Sequence, residues 1–376
     1  MIFGSLRTLG FRNLADAETN TQGKDVFLVG ENGQGKTNFL EAVYFCSYAS
    51  SFRGVSDREV VREGEQYSAV AAHFAGSGDR NRSSDKECML YDQVRVTYEH
   101  QKKTVYLDGK RIEDRRDLLG VAPSIVFCHE DMEFVTGSPE RRRWFFDQTL
   151  GLADPGYLED LRKYRRVLKT RNTLLKTGAD PPRGTSLRPM LDALDPQLAF
   201  YGLKLMEKRQ EASVGFSAIF GTLYEQVTGL DKLGLRYVPS WKALTLEGIQ
   251  GFLEEHRERD GLSGLTLSGP HRDRYLFIRR EAEFAGNAST GQRRLLALLL
   301  RVAQARRFSA LTGKYPVLLL DDVLLELDAE KRRKFLEALP EYGQAFFTFL
   351  PDEPYHRYRK PGTLVYQVSQ GLLSSV

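Results

Sequence analysis

Cysteine is scarce in this sequence, and its three copies, Cys46, Cys88 and Cys128, are not closely paired. Their spacing lacks the pattern of a zinc site or a redox motif, so we interpret them as ordinary thiols in a reducing cytosol. Long apolar runs are also lacking. The longest, LLALLL at 295–300, is bracketed by arginines, and the N-terminal MIFGSLRTLGFRN has no signal-like apolar core. We therefore expect a cytoplasmic protein that is neither secreted nor membrane-spanning.

Internal repeats, long low-complexity tracts and sustained heptads are likewise absent, which argues against a repeat protein and against long coiled-coil arms. What remains is a chain of 376 residues, 41% of them hydrophobic. That is enough to bury a sizeable core in one large domain with insertions or in two ordinary domains. A net charge of +4 permits a nucleic-acid partner without requiring one.

The coarse pattern along the chain changes from strands to helices and back. Residues 67–110 contain strand-like runs, with Asp108 and Gly109 as a hairpin turn, and predict an antiparallel sheet. Ser138 followed by Pro139 predicts a helix start, and helix dominates from there to about residue 230. The stretch 177–186 interrupts it, so an antiparallel helix pair is expected. The last third alternates helix and strand.

Within the helical region, residues 141–176 carry ten Lys and Arg against four Asp and Glu. A basic face of this kind can neutralise DNA phosphates, although a solvated helical face is the commoner role of such a run. The candidate DNA-binding residues are Arg141, Arg142, Arg143, Arg162, Lys163, Arg165, Arg166 and Lys169.

A phosphate-binding loop lies near the N-terminus. The spacing GxxxxGK[ST] follows the apolar run VFLV and precedes NFLEAVYF, which is the strand, loop and helix context that the motif requires. Its backbone N–H groups can wrap phosphates, Lys36 can reach the outer phosphates, and the Thr37 hydroxyl can bind Mg²⁺. The predicted ATP-binding residues are Gly30, Glu31, Asn32, Gly33, Gln34, Gly35, Lys36, Thr37 and Asn38.

The second half of such a site is an apolar strand that ends in carboxylates, and VLLLDD at 317–322 has this form. Asp321 is predicted to hold Mg²⁺ with Thr37, and Asp322 to orient or deprotonate the attacking water. Lys36, Asp321 and Asp322 are therefore the candidate catalytic residues.

The stretch STGQRRLLALLLRVAQARRF at 289–308 begins with a good helix N-cap, and its apolar residues predict a buried helix with an exposed, positive N-terminal end. A capped core helix would look the same. S-x-G-Q followed by a D-D strand nevertheless resembles the signature motif and Walker B of ABC ATPases, which hold ATP between two protomers. The resemblance implies that Ser289, Gly291 and Gln292 contact the nucleotide of a second subunit.

A long insertion separates the phosphate-binding loop, which ends at Thr37, from the signature motif, which begins at Ser289. In this respect the chain resembles the branch of ABC ATPases that includes the SMC proteins. Several segments then narrow the resemblance to the RecF family of bacterial recombinational repair proteins. These segments are FRNL, VGENGQGKTNFLEAVYF, SFRG, HEDMEFVTGSPERRRWFFDQTL, YRRVLKTRNTLLK, GPHRDR, STGQRRLLALLLRVA and LLLDDVLLELD.

The resemblance implies an α/β fold: an ABC-type ATPase head, with a mixed sheet beside the P-loop helix and an antiparallel sheet, and an inserted, mainly helical lobe. Residues 1–137 and 265–376 would form the ATPase lobe, and residues 138–264 the helical lobe. It also implies ATP and Mg²⁺ as cofactors, with Arg12, Asn13 and Arg53 as candidate nucleotide contacts.

The function it implies is an ATP-gated homodimer that binds duplex DNA near single-strand junctions and works with RecR and RecO to load RecA on gapped DNA. Leu325 stands where the family usually has serine, His129 where it commonly has proline, and Arg274 where it commonly has Asp. The switch histidine of transporters is not evident in FFTFLPDEP, where Thr348 lies near its position, so we expect slow hydrolysis of ATP. An ABC-headed nuclease, another SMC-like DNA-processing ATPase and a transporter energy subunit are the alternatives.

Overall fold

A computed structural model describes residues 2–75, 92–114, 116–177, 187–231, 233–325 and 327–376. The polar stretch GSGDRNRSSDKE at 76–87, nearly all of the predicted interruption at 177–186, and Cys88 lie outside these residues. Cys46 and Cys128 are buried.

The chain forms two compact units, Met1–Asp131 with Phe308–Val376, and Met132–Arg307. The predicted lobes, 1–137 with 265–376 and 138–264, differ from this division because a strand at 274–279 pairs with a strand at 233–238 inside the second unit. The second unit is therefore not purely helical, and it includes Ser289 and most of the helix that follows.

The strands in chain order are β1 Ile2–Leu9, β2 Ala17–Asn20, β3 Asp25–Val29, β4 Tyr67–Ala75, β5 Gln93–Glu99, β6 Lys102–Leu107, β7 Lys110–Ile112, β8 Ser124–Phe127, β9 Leu233–Val238, β10 Arg274–Arg279, β11 Ala282–Glu283, β12 Val317–Leu320, β13 Gln344–Phe349, β14 Leu364–Ser369 and β15 Leu372–Ser375. The α-helices are α1 Lys36–Tyr48, α2 Arg116–Leu119, α3 Glu133–Thr136, α4 Pro139–Ala153, α5 Pro155–Thr177, α6 Arg188–Thr228, α7 Leu246–Glu255, α8 Arg257–Ser263, α9 Thr290–Thr312 and α10 Ala329–Ala338.

The first unit contains two six-stranded sheets. One is antiparallel, in the order β2-β1-β4-β5-β6-β7, and its β6–β7 turn has Asp108 and Gly109 at positive φ, as the hairpin signal predicted. The other has the order β15-β14-β3-β13-β12-β8 and is parallel except for the β14–β15 pair. Helix α1 and the apolar faces of both sheets share one core, which includes Phe3, Val26, Leu40 and Phe346.

The second unit is built on α4, α5 and α6 and a three-stranded sheet in the order β11-β10-β9. Ser138 is the N-cap of α4 and Pro139 its first residue, as predicted. Leu161, Tyr164 and Leu175 of α5 are buried and Leu168 is half-buried, because the spacings of three, four and seven along these four residues place them on one face of the helix. The longest helix in the described part of the chain is α6, with 41 residues.

Candidate nucleotide-binding site

The phosphate-binding loop joins β3, whose five residues are all buried, to α1. Glycine is required at Gly30 because a Cβ there would lie 2.4 Å from the carbonyl oxygen of Val368. Gly35 has φ +113°, a conformation that other residues rarely adopt. The loop therefore brings its backbone N–H groups to the start of α1, where the helix end adds positive potential.

Lys36 is buried at the first position of α1, and its Nζ donates to the carbonyl oxygens of Gly30, at 2.7 Å, and Glu31, at 3.2 Å. The ammonium group is thus held over the loop by the loop's own backbone. A phosphate bound there would meet a positive charge that is already partly desolvated, and such a charge attracts an anion more strongly than one in bulk water does.

Thr37 connects the loop to the carboxylate strand. Its Oγ1 donates to Oδ1 of Asp321 at 2.8 Å. Burial raises the pKa of the Asp321 carboxyl to about 6, and the nearby Asp322 and Glu130 charges act in the same direction, against the Thr37 hydrogen bond and the charge of Arg53. The hydroxyl and carboxylate that the sequence predicted to share Mg²⁺ therefore lie side by side, and hard oxygen ligands of this kind suit that ion.

Asp322 has a left-handed backbone, with φ +51°. Thr348, at the end of β13, holds this conformation: its Oγ1 accepts from the Asp322 N–H at 2.7 Å and donates to Oδ1 of Asp322 at 2.8 Å. A single threonine hydroxyl thus fixes both the backbone and the side chain of the candidate general base. This threonine stands near the position that the switch histidine occupies in transporters.

Of the three residues that the resemblance added as candidate contacts, Asn13 and Arg53 lie at this loop, whereas the side chain of Arg12 pairs with Glu41 of α1. Asn13 donates from Nδ2 to the carbonyl of Gly33 at 3.1 Å and accepts from Asn38 at 2.7 Å. Arg53 lines the cavity over the loop. That cavity has a volume of about 320 Å³, and its lining comprises Asn32, Gly33, Gly35, Lys36, Thr37, Asn38, Arg53 and Asp322.

The sequence analysis did not single out Glu41, which is fully buried on α1 and anchors these arginines. Its carboxylate accepts two hydrogen bonds from Arg12, at 2.9 and 3.0 Å, and lies 3.8 Å from Arg53. The sequence signal that could have identified Glu41 was an acidic residue inside the apolar run FLEAVYF. The β14–β15 turn was also missed: the N–H groups of Gln370 and Gly371 donate to Gln34, at 2.7 and 2.8 Å.

In the second unit, Ser289 is the residue before α9 and forms a reciprocal cap with Gln292. The Ser289 N–H donates to Oε1 of Gln292 at 2.8 Å, and the Gln292 N–H donates to Oγ of Ser289 at 3.3 Å. Ser289 and Gly291 are exposed, whereas residues 294–305 of the helix are buried. The predicted N-cap and buried helix are thus both present, with the signature residues at the exposed end.

The candidate DNA-binding residues divide into two groups. Arg142 and Arg143 donate hydrogen bonds to backbone carbonyls within the second unit. Arg142 donates to the carbonyls of Val135, at 2.9 Å, and Tyr275, at 3.2 Å. Arg143 donates to the carbonyl of Asp273, at 2.9 Å. The remaining candidates are largely solvent-facing, with ion pairs from Arg141 to Glu133, Lys163 to Glu159 and Arg165 to Asp147. Arg162, Arg166 and Lys169 are exposed on α5.

Among the described residues, no group of three or more His, Cys, Asp or Glu side chains is arranged to hold a metal ion. Nor does any described helix combine the length and apolar character needed to cross a membrane.

This chain is similar to known proteins over nearly its whole length. The model of the family described as "RecF/RecN/SMC N terminal domain" matches residues 3–369. The "DNA replication and repair protein RecF" of Treponema pallidum (strain Nichols) is 40% identical over 97% of this chain and 99% of its own length. The protein of the same name from Bacillus subtilis (strain 168) is 32% identical over 93% of both chains.

Solved structures extend the likeness. One titled as the recombination mediator protein RecF-ATP in the RecFOR pathway superposes with a TM-score of 0.87 at 26% identity, covering 100% of this chain and 97% of that one. A Pyrococcus furiosus Smc head domain has a TM-score of 0.53 at 16% identity, with 100% and 96% coverage, and so shares the fold alone. The predicted α/β ABC-type ATPase head is confirmed, and the chain belongs to the RecF family of DNA replication and repair proteins.

Proposed function

We propose that this protein binds ATP and Mg²⁺ at the loop of residues 30–38, and that two copies close around two nucleotides to form a DNA-binding dimer that acts in replication and recombinational repair. The observation that carries the proposal is the hydrogen bond from Thr37 to Asp321, which joins the phosphate-binding loop to the carboxylate strand in one cavity. The RecF relatives, one of them solved with ATP, support it.

Each residue of this site has a distinct task in binding. The loop N–H groups and Lys36 take the phosphates, and Arg53 adds positive charge at the cavity wall. Thr37 and Asp321 are the residues that would hold Mg²⁺, and their oxygen atoms and mutual distance fit that ion. When bound, Mg²⁺ neutralises charge that develops on the transferred phosphoryl group.

Hydrolysis depends on Asp322, which would orient the attacking water. Thr348 holds the Asp322 backbone and carboxylate, and a hydroxyl is a far weaker acid or base than an imidazole at neutral pH. We infer that hydrolysis is slow and that the ATP-bound state performs the work. Ser289, Gly291 and Gln292 would contact the nucleotide of the second copy, because they lie at an exposed helix N-terminus where an anion is favoured.

For DNA, the exposed basic residues of α5 are the best placed, since Arg162, Arg166 and Lys169 follow one another at spacings of four and three. Phosphate contacts of this kind are sequence-independent and weaken steeply with salt. Replacing both Arg166 and Lys169 by Ala should reduce the affinity for duplex DNA. The plot of log affinity against log salt should become less steep, by about two in the magnitude of its slope. Replacing Arg7 and Arg111 by Ala should change neither the affinity nor the slope.

The partners RecR and RecO, duplex DNA near single-strand junctions, and a cytoplasmic site of action complete the proposal. The RecFOR pathway named for the solved relative supports RecR and RecO, and the repair function named for the curated relatives supports DNA as a partner.

The test is analytical ultracentrifugation of the full chain without nucleotide, with ADP and with ATP plus Mg²⁺, each with and without a short duplex. A monomer that becomes a dimer with ATP, and more readily with DNA, is the expected result. A monomer in every condition would overturn ATP gating. Metal-dependent nicking of the duplex that survives Lys36→Ala would instead favour the nuclease alternative.

A further inference from the structure

The face of the parallel sheet that points away from α1 is lined with aromatic side chains. Along β3 and β13, successive side chains alternate between the two faces of the sheet. Val26, Leu28 and Phe346 belong to the core with α1, whereas Phe27, Phe347 and Phe349 are packed against each other on the opposite face. Both sets are nearly inaccessible to solvent.

Helix α10 covers only part of this opposite face. Its Phe335 packs edge-on against Phe127 of β8, with ring centroids 5.9 Å apart. Over β3 and β13 a cavity of about 420 Å³ remains, and its walls include the half-buried side chains of Leu336, Leu339, Tyr342 and Tyr358. A cavity of this size and apolar lining accommodates one or two large side chains of a ligand.

The rim of the cavity is basic. Arg357, Arg359 and Lys360 line it beside Arg333 of α10. Arg333 pairs with Glu337 at 2.8 Å, and Lys360 lies 4.0 Å from Asp25. Arg357 and Arg359 are exposed and, within the described part of the chain, make no ion pair. Two unneutralised guanidinium groups therefore stand at the mouth of an apolar cavity, an arrangement complementary to carboxylates that flank an apolar side chain.

We propose that this cavity is a docking site for an acidic segment of a partner protein, which inserts one aromatic or large aliphatic side chain between Tyr342 and Tyr358 and pairs its carboxylates with Arg357 and Arg359. Nucleic acid fits less well. The rings of Phe27, Phe347 and Phe349 are buried and offer no open face for base stacking. The proposal does not depend on the ATP-gated dimer.

The site lies directly behind the candidate general base. Thr348, which holds Asp322, points from β13 to the nucleotide side, while its neighbours Phe347 and Phe349 line the cavity. An occupant of the cavity therefore contacts the strand that positions Asp322.

The experiment selects peptides from a random phage-displayed library on the full-length protein, then titrates the recovered peptides, labelled with fluorescein, by fluorescence anisotropy. Two variants test the site: Arg357→Glu with Arg359→Glu, which reverses the rim charge, and Ala329→Trp, which places a large ring at the cavity from an exposed position. Arg7→Glu with Arg111→Glu is the matched control, because it changes net charge equally on exposed strand residues of the same unit. Circular dichroism verifies that each variant is folded.

The expected result is peptides in which acidic residues flank an aromatic or large aliphatic residue, with affinity reduced about tenfold or more by both site variants and about twofold or less by the control. Three outcomes would overturn the proposal. These are a selection that recovers no such peptides, equal affinity for the site variants, and displacement of the peptide by a DNA oligonucleotide. Loss of self-association in Ala329→Trp would also do so, because it would make a second copy of the chain the occupant.

Discussion

The hydroxyl of Thr37 donates a 2.8 Å hydrogen bond to Asp321, although the two residues are 284 positions apart in the chain. The contact exists because β3 and β12 flank β13 in one parallel sheet, so that the ends of β3 and β12 lie at the same edge. Ligands of open parallel sheets bind at this edge, beyond the carboxyl ends of the strands.

Lys36→Ala should weaken ATP binding about 10- to 100-fold, because a charged hydrogen bond to phosphate contributes about 1.5–3 kcal/mol. Titration of a fluorescent ATP analogue measures the change. Lys24→Ala is a suitable control, since Lys24 is an exposed lysine of the same unit. Equal affinities for the two variants would remove Lys36 from the phosphate site.

Asp322→Asn should leave ATP binding intact and accumulate the dimer. The amide oxygen can still accept from Thr348, so the left-handed backbone at position 322 is retained, but an amide cannot take a proton from water. Sedimentation with saturating ATP measures the dimer fraction. A variant that binds ATP and yet sediments as a monomer would contradict the role given to Asp322.

Ser289→Arg should spare ATP binding and block dimerisation, because a bulky cation at the exposed start of α9 would obstruct the nucleotide of the second copy. The substitution also removes the cap that Ser289 forms with Gln292, at a cost of about 1 kcal/mol in stability. Ser289→Ala is the matched control, since it loses the same cap without added bulk. Dimerisation of Ser289→Arg equal to that of Ser289→Ala would show that position 289 lies outside the dimer interface.

His271 should make the second unit less stable in acid. Burial lowers the pKa of His271 from its ordinary 6.5 to about 4, and its Nδ1 lies 2.7 Å from the Tyr164 hydroxyl and its Nε2 2.9 Å from the carbonyl of Thr266. Between pH 6.5 and 4 the unfolded chain binds a proton that the folded unit does not, so the free energy of unfolding decreases as pH falls.

Urea denaturation at several pH values, followed by a probe of the second unit, measures this effect. In His271→Gln the loss of stability between pH 6.5 and 4 should be smaller, because glutamine does not titrate. A pH dependence unchanged by the substitution would mean that folding does not lower the pKa of His271.

Local sequence was sufficient to predict several elements of the structure. Gly30, Gly35, Lys36 and Thr37 occur within eight residues, and the backbone geometry of a strand, loop and helix places them together. The same holds for Ser138 at the start of α4, because an N-cap depends only on its immediate neighbours.

Other contacts depend on residues distant in sequence and could not be predicted from local pattern. Arg209, in the middle of α6, is buried and donates to Asp147 at 2.7 Å and to Asp273 at 3.0 Å. Two family-specific segments, GSPERRRWFFDQTL and GPHRDR, are thus joined by an arginine that no motif marked. Leaving any of these charges buried without its partner would cost several kcal/mol.

The sequence by itself therefore determined the phosphate-binding loop, the carboxylate strand, the signature helix and the family, since each is a short pattern whose chemistry depends on adjacent residues. Only the tertiary structure decided that Glu41 anchors Arg12, that Thr348 holds Asp322, and that Arg142 and Arg143 serve the second unit internally. The physical reason is that a buried charge or polar group takes whichever partner the packing brings within hydrogen-bond distance, and that partner can come from any point along the chain.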